Sequence, residues 1–221
     1  MKKLTWFRFS VGIYLAAEAA LYLSFLLIDL QGGAPLTVWL KYAGILMCFV
    51  MALISAGCGG EWSVATALGL TAAADTLLLV MDTHYAAGVL IFLGVQLLYL
   101  YRLRRADRGR WLPGLRGAAV VLLLAGLWGL GQVRPLNVLA VIYFSTLACN
   151  AAQSFQSRAA WRQMFGIGLL LFVCCDLCVG IYNSPGLAPE PLYAFARIGM
   201  WLFYLPSQVL IVCSGLLRKE E

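Results

Sequence analysis

An all-α bundle of about eight membrane-spanning helices, with short loops and both termini cytoplasmic, is the fold this sequence predicts, and three observations predict it. The 221 residues are 62% hydrophobic and only 12% charged, with a mean hydropathy of +0.86. Soluble domains run at roughly half apolar and about a quarter charged, so too little polar surface remains here to coat a water-facing globule. Apolar windows recur at 9–29, 36–57, 62–81, 84–101, 117–133, 136–156, 163–183 and 192–216, most of them close to the ~20 residues a spanning helix needs. The third observation is the distribution of positive charge.

The first window follows Lys2-Lys3 as a signal peptide would, and Ala17-Glu18-Ala19 resembles a cleavage site. The apolar run nevertheless continues to Leu30, which favours an uncleaved first span. Gln31-Gly32-Gly33-Ala34-Pro35, Gly57-Cys58-Gly59-Gly60 and Asn183-Ser184-Pro185-Gly186 punctuate the later windows with turn residues. Connections this short set consecutive helices side by side and antiparallel. No extramembrane stretch is long enough for a second domain, so residues 1–221 read as one integral membrane domain; the sizeable loop, Arg102 to Arg116, is too short for one.

With a cytoplasmic start, thirteen of the 16 basic residues fall on inside segments: Lys2, Lys3 and Arg8; six arginines from Arg102 to Arg116; Arg158 and Arg162; Arg218 and Lys219. The outside loops keep Arg134. Basic residues accumulate on the cytoplasmic side of short-looped membrane proteins, so the excess of 16 basic over 10 acidic residues orients the chain and does not point to nucleic acid. The inner loop would also meet anionic lipid headgroups. Seven cysteines, at 48, 58, 149, 174, 175, 178 and 213, lie almost entirely in apolar runs, which argues against a secreted disulfide framework. Cys174, Cys175 and Cys178 read as small apolar packing.

A charge at the centre of a bilayer costs at least ~2.5 kcal/mol, so each one needs a reason. Glu18, Lys41, Asp75, Asp176 and Arg197 fall inside predicted spans. At about 1.5 Å rise per residue, Asp75 and Asp176 come to nearly one level and Lys41 and Arg197 lie just above them, in the outer half of the membrane. Two carboxylates below two cations suggest a polar chamber open to the outside; the alternative is that these charges only pair to hold the bundle together. Gln96, Tyr99, Asn150, Tyr204 and Gln208 could line the chamber or make interhelical hydrogen bonds. His84, beside Asp82 and Tyr85, reads as an interfacial residue. One histidine cannot build a histidine-ligated zinc site, and no phosphate-binding glycine loop, Gly-x-Ser-x-Gly elbow or HExxH occurs. No metal and no cofactor is expected.

Several of these residues stand in stretches that resemble the YhhN-like lysoplasmalogenase family. Ala74-Asp75-Thr76-Leu77-Leu78-Leu79, with Phe92, Gln96 and Tyr99 after it, resembles that family's third and fourth helices. Lys41 resembles its early lysine, Gly168 to Asp176 its glycine-to-Ser-Asp helix, and Tyr204-Leu-Pro-Ser-Gln208 its closing Tyr-x-x-x-Gln motif. The departures are Ala74 for Gly, Gln96 where His is common, and Cys175 where Ser is usual. The resemblance implies an eight-helix membrane hydrolase that takes a single-chain lipid, cleaves the vinyl ether of lysoplasmalogens, and sits in a bacterial plasma membrane. It implies Asp75 and Asp176 as the acid and base, with Lys41, Gln96, Tyr99, Tyr204 and Gln208 toward substrate; Arg197 and Glu18, charged residues within the spans, are read as substrate-binding beside them. The same buried acids would also serve a small transporter or channel as a proton or ion relay. A lipid-binding membrane protein without catalysis is a third reading.

Overall fold

The computed structural model describes residues 2–106, 113–184, 186 and 188–218, less the side chains of residues 2–5, 8 and 113. Of the inner charges named above, Arg108, Arg110, Lys219 and the side chains of Lys2, Lys3 and Arg8 lie outside the described residues. Eight α-helices account for the described chain: α1 Lys2–Leu30, α2 Leu36–Gly57, α3 Trp62–Asp75, α4 Tyr85–Ala106, α5 Pro113–Gly129, α6 Pro135–Ser154, α7 Ala160–Tyr182 and α8 Glu190–Arg218. A π-helical turn, Thr76–Val80, extends α3. No strand occurs among the described residues.

With the π-helical turn counted into α3, as Trp62–Val80, seven of these helices are long and apolar enough to cross a membrane, and the protein is an integral membrane protein. The eighth, α5, spans 17 residues, about 26 Å at 1.5 Å per residue, at the lower limit for spanning. It begins four residues before the 117–133 window and stops at Gly129, because Pro113 is suited to a first helical turn and Gly131 turns the chain at φ 65°.

Tight connections make neighbouring helices antiparallel. After α1, Gly33 at φ 80° sends its N–H back to Ile28 O at 2.9 Å, a left-handed closure that side-chain-bearing residues rarely adopt. The residues before α4 show the same conformation without glycine: Asp82 and His84 sit at φ 48° and 52°. His84 is exposed there, and Asp82 Oδ1 accepts the Tyr85 hydroxyl at 2.6 Å.

Helices α3, α4, α6, α7 and α8 pack in succession, and α8 closes back on α3. α2 covers the α3–α8 seam, α1 lies outside on α2 and α8, and α5 packs on α6. The most extensive pairing is α7 with α8. Gly168 permits it, since a Cβ there would stand 3.1 Å from the Ser207 carbonyl oxygen. Pro206 stands within α8 without ending it. The core of this five-helix ring is aromatic: Tyr143, Phe92, Phe172, Tyr204 and Trp201 follow one another, and Phe25 of α1 continues the row from outside the ring, with ring centroids 5.3–6.0 Å apart.

Candidate functional site

Asp75 is the last α-helical residue before the π-helical turn. Such turns insert one extra residue, reorient the neighbouring side chains, and occur often at functional sites. Thr76 anchors this one: its hydroxyl bonds to Ala72 O at 2.8 Å and to the Tyr42 hydroxyl at 2.8 Å. Since Tyr42 follows Lys41 and Thr76 follows Asp75, that bond holds the lysine on α2 and the aspartate on α3 at one level. Asp75 is buried and accepts a 2.7 Å hydrogen bond from Tyr204 on α8.

Asp176 on α7 is partly buried, and its Oδ2 has no hydrogen-bond partner. Tyr143 on α6 lies within electrostatic reach of both Asp176 and Asp75, and so does Cys175. Four of the five ring helices thus bring two carboxyls, two phenols and one thiol into a single cluster. Three ring helices also bury a polar atom without a partner: Thr71 Oγ1, Gln96 Nε2 and Gln208 Oε1. A buried donor or acceptor left unpaired costs about 1–3 kcal/mol, and three such atoms mark an interior built for polar contact.

Toward the outer end, Lys41 and Arg197 line one cavity of about 210 Å³ together with Asp29, Tyr182 and Trp201. Lys41 Nζ is 2.6 Å from Asp29 Oδ2 and 5.0 Å from the Trp201 ring centroid, while Arg197 is exposed. Trp201 then meets Tyr204 edge-on at 5.3 Å, so one aromatic residue separates the cationic cavity from the Tyr204–Asp75 pair.

Other sequence-predicted residues make no hydrogen bond to either aspartate. Glu18 on α1 accepts from Cys48 Sγ at 3.4 Å, and Cys48 lies 3.2 Å from the Tyr14 hydroxyl; none of its hydrogen bonds reaches the aspartates. Gln96 is held by Asn150, whose Nδ2 donates to Gln96 O at 2.9 Å and to Oε1 at 3.2 Å. Tyr99 stacks edge-on with Phe165 at 5.2 Å, and its hydroxyl is buried without a partner. Gln208 lies one turn beyond Tyr204 and is fully buried.

Sequence reasoning missed Tyr143, Asp29, Trp201 and the Tyr42–Thr76 bond. Asp29 carried a legible signal. An acid in the last turn of a helix opposes the helix dipole and calls for a cation, which Lys41 supplies.

At the opposite end, Arg102 is wholly buried. Its Nε donates to Glu61 Oε2 at 2.7 Å and its Nη1 to Ser214 at 2.8 Å. Its guanidinium lies 4.7 Å from the Trp161 and 4.4 Å from the Phe165 ring centroids, and Arg218 also pairs with Glu61. This ion triad ties α4, α8 and the start of α3 together and closes that end of the ring.

The model of the YhhN family matches residues 36–215. The chain belongs to the YhhN family. The match spans α2 through nearly all of α8, and so contains Lys41, both aspartates, Tyr143 and Tyr204; Glu18 and Asp29, on α1, precede it. No curated protein and no solved structure matches the chain.

Proposed function

We propose that this YhhN-family chain is a membrane-embedded hydrolase of a bacterial plasma membrane that cleaves the vinyl-ether bond of lysoplasmalogen-type lysophospholipids. The observation that carries the reading is the convergence of Asp75 and Asp176 on one cluster inside the five-helix ring, beside a cavity lined by Lys41 and Arg197. Vinyl-ether hydrolysis needs those two kinds of group. An acid protonates the carbon β to the ether oxygen, leaving an oxocarbenium ion at the α carbon. Water attacks that carbon while a base takes its proton. The hemiacetal then collapses to a fatty aldehyde: the former base returns its proton to the departing glycerol oxygen, which leaves as the alcohol, and the former acid takes the proton of the hemiacetal hydroxyl. One water is consumed and both carboxyls return to their starting forms, a division of labour parallel to that of glycosidase carboxylates.

The hydrogen bonds suggest which aspartate does which. Asp75 accepts from Tyr204, an arrangement suited to a carboxylate that stabilises the cation and receives the proton of water. Asp176, which stands beside the Tyr143 phenol, would then be the acid. Lys41 and Arg197 would grip the phosphate as charge-assisted donors, and Asp29 would hold the ammonium of Lys41 in place. The Arg102–Glu61–Arg218 triad across the ring's other end favours an enzyme over a conducting pore.

The test is to incubate the purified protein with lysolipids that have or lack the vinyl ether and to measure aldehyde. Release from the vinyl-ether lipids alone supports the reading; no release from any of them contradicts it.

A further inference from the structure

At the basic end of the bundle, Arg116 in the first turn of α5 reaches across to α6. Its Nη2 donates to Asn150 Oδ1 at 2.9 Å and to Gln153 Oε1 at 2.6 Å. Both acceptors are neutral amides, and both are buried. Arg104 lies within electrostatic reach of Arg116, and Arg162 donates to Gln153 O at 2.7 Å. Two guanidinium groups therefore bond to one glutamine, and a third lies within electrostatic reach of Arg116. Among the described residues, the carboxylate at this end is Glu61, and Arg102 and Arg218 hold it.

Two donors remain here. Arg116 Nη1 and Gln153 Nε2 are both buried without a hydrogen-bond partner. Unused donors on a half-buried cation and on the amide it grips call for an acceptor, and a cation whose hydrogen bonds among the described residues go to neutral amides favours a negative one. The start of α5 adds the positive end of a helix dipole. Basic pockets between helices on the cytoplasmic side of membrane proteins take phosphate headgroups.

We propose that Arg116 and Gln153 form an anion site, separate from the aspartate chamber, that takes a phosphate group at the basic end of the bundle. The phosphate oxygens would accept from Arg116 Nη1 and Gln153 Nε2. The source is either the phosphodiester of an anionic lipid or free phosphate. The site meets the chamber wall through Asn150, which bonds to both Arg116 and Gln96.

The test is a thermal-unfolding titration of the full chain in detergent with three probes: short-chain phosphatidylglycerol, phosphatidylcholine of the same chain length, and inorganic phosphate. Saturable stabilisation by phosphatidylglycerol at concentrations where phosphatidylcholine has none identifies a lipid source; saturation by phosphate alone identifies a soluble one. Arg116→Gln should weaken the response about tenfold or more, as loss of a charge-assisted donor does, while Arg134→Gln in the exposed α5–α6 connection leaves it unchanged. Gln153→Glu gives Arg116 a built-in counter-ion, so it should unfold at a higher temperature than the parent and no longer respond to any of the probes. A wild-type response in Arg116→Gln or Gln153→Glu, or no saturable response to any probe in the parent, overturns the proposal. Because the readout is binding, it stands or falls independently of aldehyde release.

Discussion

The Tyr204 hydroxyl donates a 2.7 Å hydrogen bond to Asp75 Oδ2 across 129 positions of sequence. It joins the end of α3 to the middle of α8 and fixes one carboxyl rotamer against a wall of aromatic rings. Tyr204→Phe removes the donor and leaves the ring contacts to Phe172 and Trp201. Stability should fall by about 1 kcal/mol, the usual net worth of one such bond. Aldehyde release should fall on the order of 10²-fold, because a misplaced catalytic group costs that much. Denaturation curves and initial rates on the same preparation check both.

Lys41 stands on the route from the outer cavity and is held by Asp29. If its ammonium grips phosphate in ground state and transition state alike, Lys41→Gln should raise KM about tenfold and leave kcat nearly unchanged. A matching loss in kcat would instead place Lys41 in the chemical step. Saturation kinetics on a vinyl-ether lysolipid separate the two.

Glu61→Leu leaves Arg102 buried without its carboxylate. Removing one partner of a buried ion pair costs about 3–5 kcal/mol, whereas replacing the pair by apolar residues is often near neutral. Glu61→Leu alone should therefore lower the unfolding midpoint far more than Glu61→Leu combined with Arg102→Leu and Arg218→Leu. Thermal melts of the two variants in one detergent measure the difference.

The basic residues orient the bundle with the α7–α8 loop outside and the α2–α3 loop inside. Cys58, the exposed native cysteine of the α2–α3 loop, provides an internal control. In a Ser184→Cys variant, an impermeant thiol reagent should label the introduced thiol on intact cells and reach Cys58 only after permeabilisation. The reverse pattern would invert the topology.

Much of this architecture could be read in the sequence because a bilayer leaves few choices: apolar runs near the spanning length must be helices, and the loops between them must turn. The rise per residue predicts a shared level for Asp75 and Asp176, and Tyr143 and Cys175 lie within electrostatic reach of both. The π-helical turn was hidden, since Thr76-Leu-Leu-Leu-Val80 reads as plain apolar helix and its extra residue is held by Tyr42 on another helix. Tyr143 was hidden too, because a tyrosine in an apolar helix looks ordinary until its neighbours across the ring are known. The boundaries of α5 were misjudged because its exposed apolar residues continue past Gly129, and composition does not mark where helical geometry stops.

The most direct test of the paired-acid account is a double-mutant cycle on aldehyde release with Asp75→Asn and Asp176→Asn, each protein first shown to be monodisperse. If the two carboxyls act as one unit, each single substitution should abolish nearly all release, and the double variant should be no worse than either single one. Retained activity in either single variant, or a double variant whose loss is the product of the two single losses, would contradict it.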